Sequence, residues 1–167
     1  MTIDAAGFRA KYGPWALVAG ASEGIGEAFA EELGARGLNL TLVARRAGPL
    51  EAVARRLADR HGVETRAIAQ DLSTDDAPGR LVDAVGDREI GFLVYNAAYS
   101  VIGRFLDLDV DVHLKTLATN CRTPLVLTHH FGRQMAARGR GGIVWMSSMS
   151  SLQGSAMVGS YAATKAF

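Results

Sequence analysis

The stretch "WALVAGASEGIG", Trp15 to Gly26, constrains this chain more than any other. An apolar run ends in a turn of three glycines, and residues at helical spacing follow at once. Gly20, Gly24 and Gly26 stand as G-x-x-x-G-x-G. Glycines let a backbone turn tightly and approach a pyrophosphate, whose charge is met by the free N–H groups of the helix start. A plain structural turn would need the same residues, and S-adenosylmethionine enzymes use such turns as well. The position between a strand and an amphipathic helix favours a dinucleotide site over the plain turn.

The rest of the sequence repeats the same alternation. After the first strand, Ile25, Ala28, Phe29 and Leu33 fall at helical spacing and are expected to face one side. Gly37 closes that helix, and "LNLTLVA" (residues 38–44) gives the second strand. Leu50, Val53 and Leu57 mark a second helix, "VETRAIAQ" (63–70) a third strand near an edge, and Leu81, Val82 and Val85 a third helix. "IGFLVYN" (90–96) is the fourth strand, one long helix is expected over 110–137, and "GGIVWMSS" (141–148) is the fifth strand. Strands alternating with helices predict a parallel sheet wrapped on both sides. The fold class is α/β, a doubly wound parallel sheet of Rossmann type, in a single domain over 1–167 with a lead segment at 1–13.

The end of the second strand discriminates between cofactors. An acidic residue there would bind a ribose 2′-hydroxyl, but this chain has "VARR". A guanidinium suits a 2′-phosphate, so Arg45 and Arg46, with Arg45 preferred, predict NADP(H) over NAD(H); a solvated loop arginine is the other reading. After the third strand, Asp71 can accept from an adenine amino group with Leu72 against the ring. Asp71 or Ser73 could equally cap the next helix.

Composition narrows the partners. The formal net charge of +1 points to neither nucleic acid nor a membrane surface, and no apolar run approaches a membrane span. The opening "MTIDAAGFRAKYG" reads as neither signal peptide nor anchor. The one cysteine, Cys121, excludes an internal disulfide, fits the cytoplasm and reads as a buried helix residue. His129 and His130 are adjacent and point to different helix faces, and His61 and His113 read as surface or helix-end residues, so no metal site is indicated. Arginine outnumbers lysine 15 to three, which sets Lys165 apart from an ordinary surface cation.

With "NAA" (Asn96, Ala97, Ala98) after strand four, Asn120, Ser148 and the Tyr161/Lys165 pair, the chain resembles the short-chain dehydrogenase/reductase family from about Trp15 onward. The resemblance implies strand order 3-2-1-4-5 and NAD(P)-dependent hydride transfer between a carbonyl and an alcohol. It places Ser22 and Ile25, with the glycines, Asn96, Ala97, Ala98, Tyr161 and Lys165, around the cofactor. It maps the catalytic set to Asn120, Ser148, Tyr161 and Lys165; Ser147 competes by eye, but the 13-residue spacing to the tyrosine favours Ser148. Ala19 and "YNAA" depart from the family, removing a hydroxyl, an amide and a glycine near the cleft.

The chemistry suits those residue types. Reduction needs a proton for the developing alkoxide, and a free phenol is a poor partner at neutral pH. A nearby cation favours the phenolate, and Tyr161 and Lys165, four apart, share one helix face. The Ser148 hydroxyl can polarise the carbonyl. Pro124, four residues after Asn120, has no N–H for the Asn120 carbonyl, which is then expected to be open to a water.

The cofactor half looks most like 3-oxoacyl-CoA reductases and 17β-hydroxysteroid dehydrogenases, which suggests long acyl or steroid-like carbonyls. The family continues beyond the lysine with two further strands and a substrate-covering segment, and it commonly pairs subunits through the long helix. The sequence is therefore expected to be truncated before strands six and seven, with strand five an exposed apolar edge and the full-length parent a homo-oligomer. Two functions follow: an NADP(H)-dependent reductase of small carbonyl or alcohol substrates, or a catalytically inactive NADP(H)-binding fragment or regulatory module. A methyltransferase would leave the Ser/Tyr/Lys set without a role.

Overall fold

The computed structural model describes residues 4–167. Its centre is a five-stranded parallel sheet in the order β3-β2-β1-β4-β5, as the resemblance implied. The strands are β1 Trp15–Ala19, β2 Asn39–Ala44, β3 Thr65–Ala69, β4 Ile90–Tyr95 and β5 Gly142–Trp145. Among the described residues seven α-helices surround them: α1 Ala5–Tyr12, α2 Gly24–Ala35, α3 Ala47–His61, α4 Ala77–Val85, α5 Val110–Leu117, α6 Thr123–Arg138 and α7 Gly159–Ala166. Val18 is in register with Leu42 on one side and Val94 on the other, so β1 is covered along both edges.

Alternation along β1 sends its side chains into two cores. Ala16 and Val18 pack with Leu33, Leu50, Ala54 and Leu57 from α2 and α3. Leu17 and Ala19 pack on the opposite face with Leu81, Val85, Leu127 and Phe131 from α4 and α6. Each fully buried large apolar side chain contributes about 1.5–3 kcal/mol, and both layers are needed to bury a sheet that is apolar on two faces. β5 is an outer strand, and Ile143 and Trp145 on it are 38% and 37% exposed.

Four readings change. The lead segment carries a helix, α1, whose Asp4 accepts from the Gly7 N–H as its cap; Met1 to Ile3 lie outside the described residues. The buried face of α2 is Gly26, Ala30, Leu33 and Gly34, while Ile25 is 58% exposed and Ala28 is also outward. Small residues let α2 sit so close to the sheet that a Cβ on Gly26 would overlap the Gly20 carbonyl oxygen. The third change is the long helix, which is helical throughout but widens to a π turn over Ala118–Arg122. Pro124 stands in the first turn of α6 immediately beyond, and its missing N–H accounts for a break in the α ladder there. Finally, neither Asp71 nor Ser73 caps α4, which starts after Asp76; Asp71 Oδ1 instead accepts from the Ser73 N–H (2.9 Å) and hydroxyl (2.8 Å).

Candidate active site

The carboxyl ends of β1, β2, β3 and β4 open onto one cleft of about 530 Å³. Its walls include Gly20 and Ser22 from the glycine turn, Arg45 and Arg46 after β2, Asp71 and Leu72 after β3, and Asn96, Ala97 and Ala98 after β4. Nine sequence-predicted cofactor residues therefore meet in one place. Gly20 (φ 82°) and Gly24 (φ 60°) both occupy the left-handed region, which makes the turn possible. Gly20 also lies so close to the Ala97 backbone that a side chain would collide with it. The Asn96 side chain donates to the Gly20 carbonyl at 3.2 Å, tying the turn to β4. No side chain caps α2 at Glu23, so its first N–H groups stay available to an anion beside the cleft.

The two arginines differ. Arg46 is paired with Glu23 at 3.0 Å, whereas Arg45 forms no ion pair among the described residues. Asp71 faces Lys115 at 3.8 Å. Burial works against ionising Asp71, but the two Ser73 bonds and the charges of Lys115 and Arg45 outweigh it and hold the carboxyl below its ordinary value. These groups suit a dinucleotide: uncapped helix N–H groups, a guanidinium without a carboxylate partner and an ionised acceptor.

Gly24, Ile25, Gly26, Asn120, Ser148, Tyr161 and Lys165 lie outside the lining of that cleft. Tyr161 and Lys165 lie on α7, Asn120 is bonded to that helix through Thr164, and Ser148 lies just past β5. On α7 the Lys165 ammonium sits 5.8 Å from the centroid of the Tyr161 ring and donates to the Met146 carbonyl at 2.6 Å, just past β5. Burial pushes the lysine below its ordinary pKa. Ser148 accepts from the Ser150 N–H at 3.2 Å, while the Ser147 hydroxyl donates to the Lys165 carbonyl at 2.8 Å. Asn120 is buried in the π turn; its side-chain amide donates to Thr164 Oγ1 (2.9 Å) and the Tyr99 carbonyl (3.0 Å) and accepts from the Tyr99 N–H (2.9 Å). Cys121, buried as expected, has its thiol 3.7 Å from the Thr164 carbonyl.

Sequence reasoning did not anticipate Lys115 and Tyr99, which also line the cleft, with the ammonium 5.0 Å from the ring centroid. The only signal was the scarcity of lysine. His113 stands at the start of α5, a helix-end position as expected, but it is half-buried and both ring nitrogens are engaged. Among the described residues no group of His, Cys, Asp or Glu is placed to hold a metal ion, and no helix is long and apolar enough to cross a membrane.

The sequence profile described as short chain dehydrogenase matches residues 14–167. The chain belongs to the short-chain dehydrogenase family. It is 38% identical over 160 residues to a 7β-hydroxysteroid dehydrogenase from Clostridium sardiniense, covering 96% of this chain and 61% of that protein. A solved 7β-hydroxysteroid dehydrogenase structure superimposes with a TM-score of 0.93 at 36% identity, covering 96% of this chain and 64% of that one. A short-chain dehydrogenase from Sphingobium yanoikuyae in complex with NADPH gives 0.86 at 32% identity, covering 92% and 61%. The chain thus spans about 60% of the length of the short-chain dehydrogenases it matches.

Proposed function

We propose that this chain carries the site of an NADP(H)-dependent oxidoreductase that moves hydride between the nicotinamide and a carbonyl or secondary alcohol. The observation that carries the reading is the Tyr161–Lys165 pair on one turn of α7, with the ammonium 5.8 Å from the phenol ring and tied to the strand end that precedes Ser148. When bound, the cofactor supplies or accepts the hydride. Tyr161 gives its phenolic proton to the developing alkoxide, or takes one from an alcohol, as general acid and base. The Lys165 ammonium stabilises the phenolate. Ser148 polarises the substrate oxygen; Ser147 is committed to the Lys165 carbonyl, which favours Ser148 for this work. Asn120 holds α7 through Thr164.

Arg45 carries the preference for NADP(H), because a 2′-phosphate can pair with its guanidinium while Arg46 is held by Glu23. Gly20, Ser22, Gly24, Ile25 and Gly26 take the pyrophosphate side, and Asp71, Leu72, Asn96, Ala97 and Ala98 the adenosine and nicotinamide sides. The bound NADPH of the Sphingobium yanoikuyae relative agrees with this preference. The 7β-hydroxysteroid dehydrogenases among the relatives point to a bulky steroid-like carbonyl or alcohol as substrate. A reducing, cytoplasmic setting suits the single buried thiol, and the apolar residues exposed along α5 and α6 (Val110, Leu114, Leu117, Leu125 and Val126) suit pairing with a second copy.

The test is calorimetric titration with NADPH and NADH, followed by the disappearance of reduced nicotinamide with ketosteroids and smaller ketones. Tighter NADPH binding and ketone-dependent oxidation are expected. Tighter NADH binding would overturn the cofactor assignment, and binding without turnover would favour a nucleotide-binding module.

A further inference from the structure

Helix α7 carries two residue pairs of the same spacing. Tyr161 and Lys165 form one; Ser160 and Thr164, one position earlier and therefore about 100° round the helix, form the other. The second pair docks the helix. Thr164 Oγ1 receives the Asn120 amide at 2.9 Å and donates to the Tyr161 carbonyl at 2.8 Å. One turn earlier, the Ser160 hydroxyl lies 2.7 Å from Nδ1 of His113 on α5.

His113 is itself fixed. Its Nε2 lies 2.9 Å from the Phe105 carbonyl, which can only accept, so Nε2 carries a proton and Nδ1 is left to bond the Ser160 hydroxyl. The Phe105 ring stacks on the imidazole at 4.3 Å between centroids and 20° between planes. The same loop donates from the Gly103 N–H to the Met157 carbonyl at 2.8 Å, just before α7. No side chain caps α7 at Val158, so a helix of eight residues begins without an N-terminal anchor of its own. Its first turn is instead held from outside.

We propose that His113 is a positioning residue for Tyr161. Its bond to Ser160, with the Asn120–Thr164 bond one turn on, sets the rotation and axial position of α7 and so the direction of the neighbouring phenol. The proposal rests on the reading of Tyr161 as the acid, but it can be tested without turnover.

The chain has four tyrosines, so protein labelled with [ζ-13C]tyrosine gives few signals, and Tyr161→Phe identifies the one from Tyr161. His113→Leu and Ser160→Ala should each displace or split that signal while leaving Tyr12, at the far end of the sheet, unmoved. His113→Asn, whose amide oxygen can stand where Nδ1 stands, should restore it. The double variant should be no more disturbed than either single one. In turnover, His113→Leu should lower kcat about tenfold with little change in KM, and His113→Asn should recover it. A Tyr161 signal unchanged by both His113→Leu and Ser160→Ala would overturn the proposal, as would His113→Asn behaving like His113→Leu. If Tyr161→Phe keeps full activity, the acid assignment falls while the tyrosine signal still decides the positioning role.

Discussion

Tyr95, at the end of β4, donates its hydroxyl to the main-chain carbonyl of Thr119, 2.7 Å away in the π turn. Burial pushes this phenol far above its ordinary pKa, so it remains a donor across the working pH range. The bond ties the sheet to the residue before Asn120. Tyr95 thus fills, with a different side chain, a position where the family resemblance leads one to expect an asparagine. Tyr95→Phe removes only the hydroxyl and leaves a buried carbonyl unpaired, so urea unfolding should show a loss of about 1–3 kcal/mol.

Replacing Arg45 should change selectivity more than stability. Arg45→Ala is expected to weaken NADPH by at least about tenfold, the scale of one charge-assisted bond, and to leave NADH nearly unchanged. Arg46→Ala should have the smaller effect on both, because Arg46 is spent on Glu23. Equal losses for the two nucleotides on replacing Arg45 would contradict the assignment.

Two glycine substitutions should move stability in opposite directions. A methyl on Gly26 meets the Gly20 carbonyl, so Gly26→Ala should cost about 1–3 kcal/mol or more and weaken nucleotide binding. Gly48, on α3, has open space where its Cβ would be, and Gly48→Ala should stabilise by about 0.4–1 kcal/mol. Thermal melts of both variants make the comparison.

The carboxyl of Asp71 is held below the ordinary value of 3.8, so its contribution to stability is present above that value and lost as the pH falls through the folded-state value. Asp71→Asn should therefore lower the melting temperature at neutral pH. The gap to the parent should narrow as the pH drops below 3.8, and a constant gap would contradict the linkage.

The sequence disclosed what depends on local pattern. The glycine turn, the parallel strands and the gathering of Arg45, Asp71 and Asn96 at one end of the sheet follow from strand–turn–helix spacing and from where parallel strands end. The face of α2 was misread because apolar size suggested Ile25, while the real constraint is close approach at Gly26, which only the packed turn reveals. Lys115, Tyr95 and His113 were illegible for a common reason. Each acts on a partner distant in sequence (Asp71, Thr119 and Ser160), and a single chain offers no local signal for such pairs.

In the proposed reaction Tyr161 moves the proton. The most direct measurement compares Tyr161→Phe with the parent in NADPH-dependent ketone reduction, with NADPH affinity measured alongside. The expected kcat is lower by about 10²–10⁴-fold, with cofactor affinity retained. Undiminished turnover by the phenylalanine variant would contradict it.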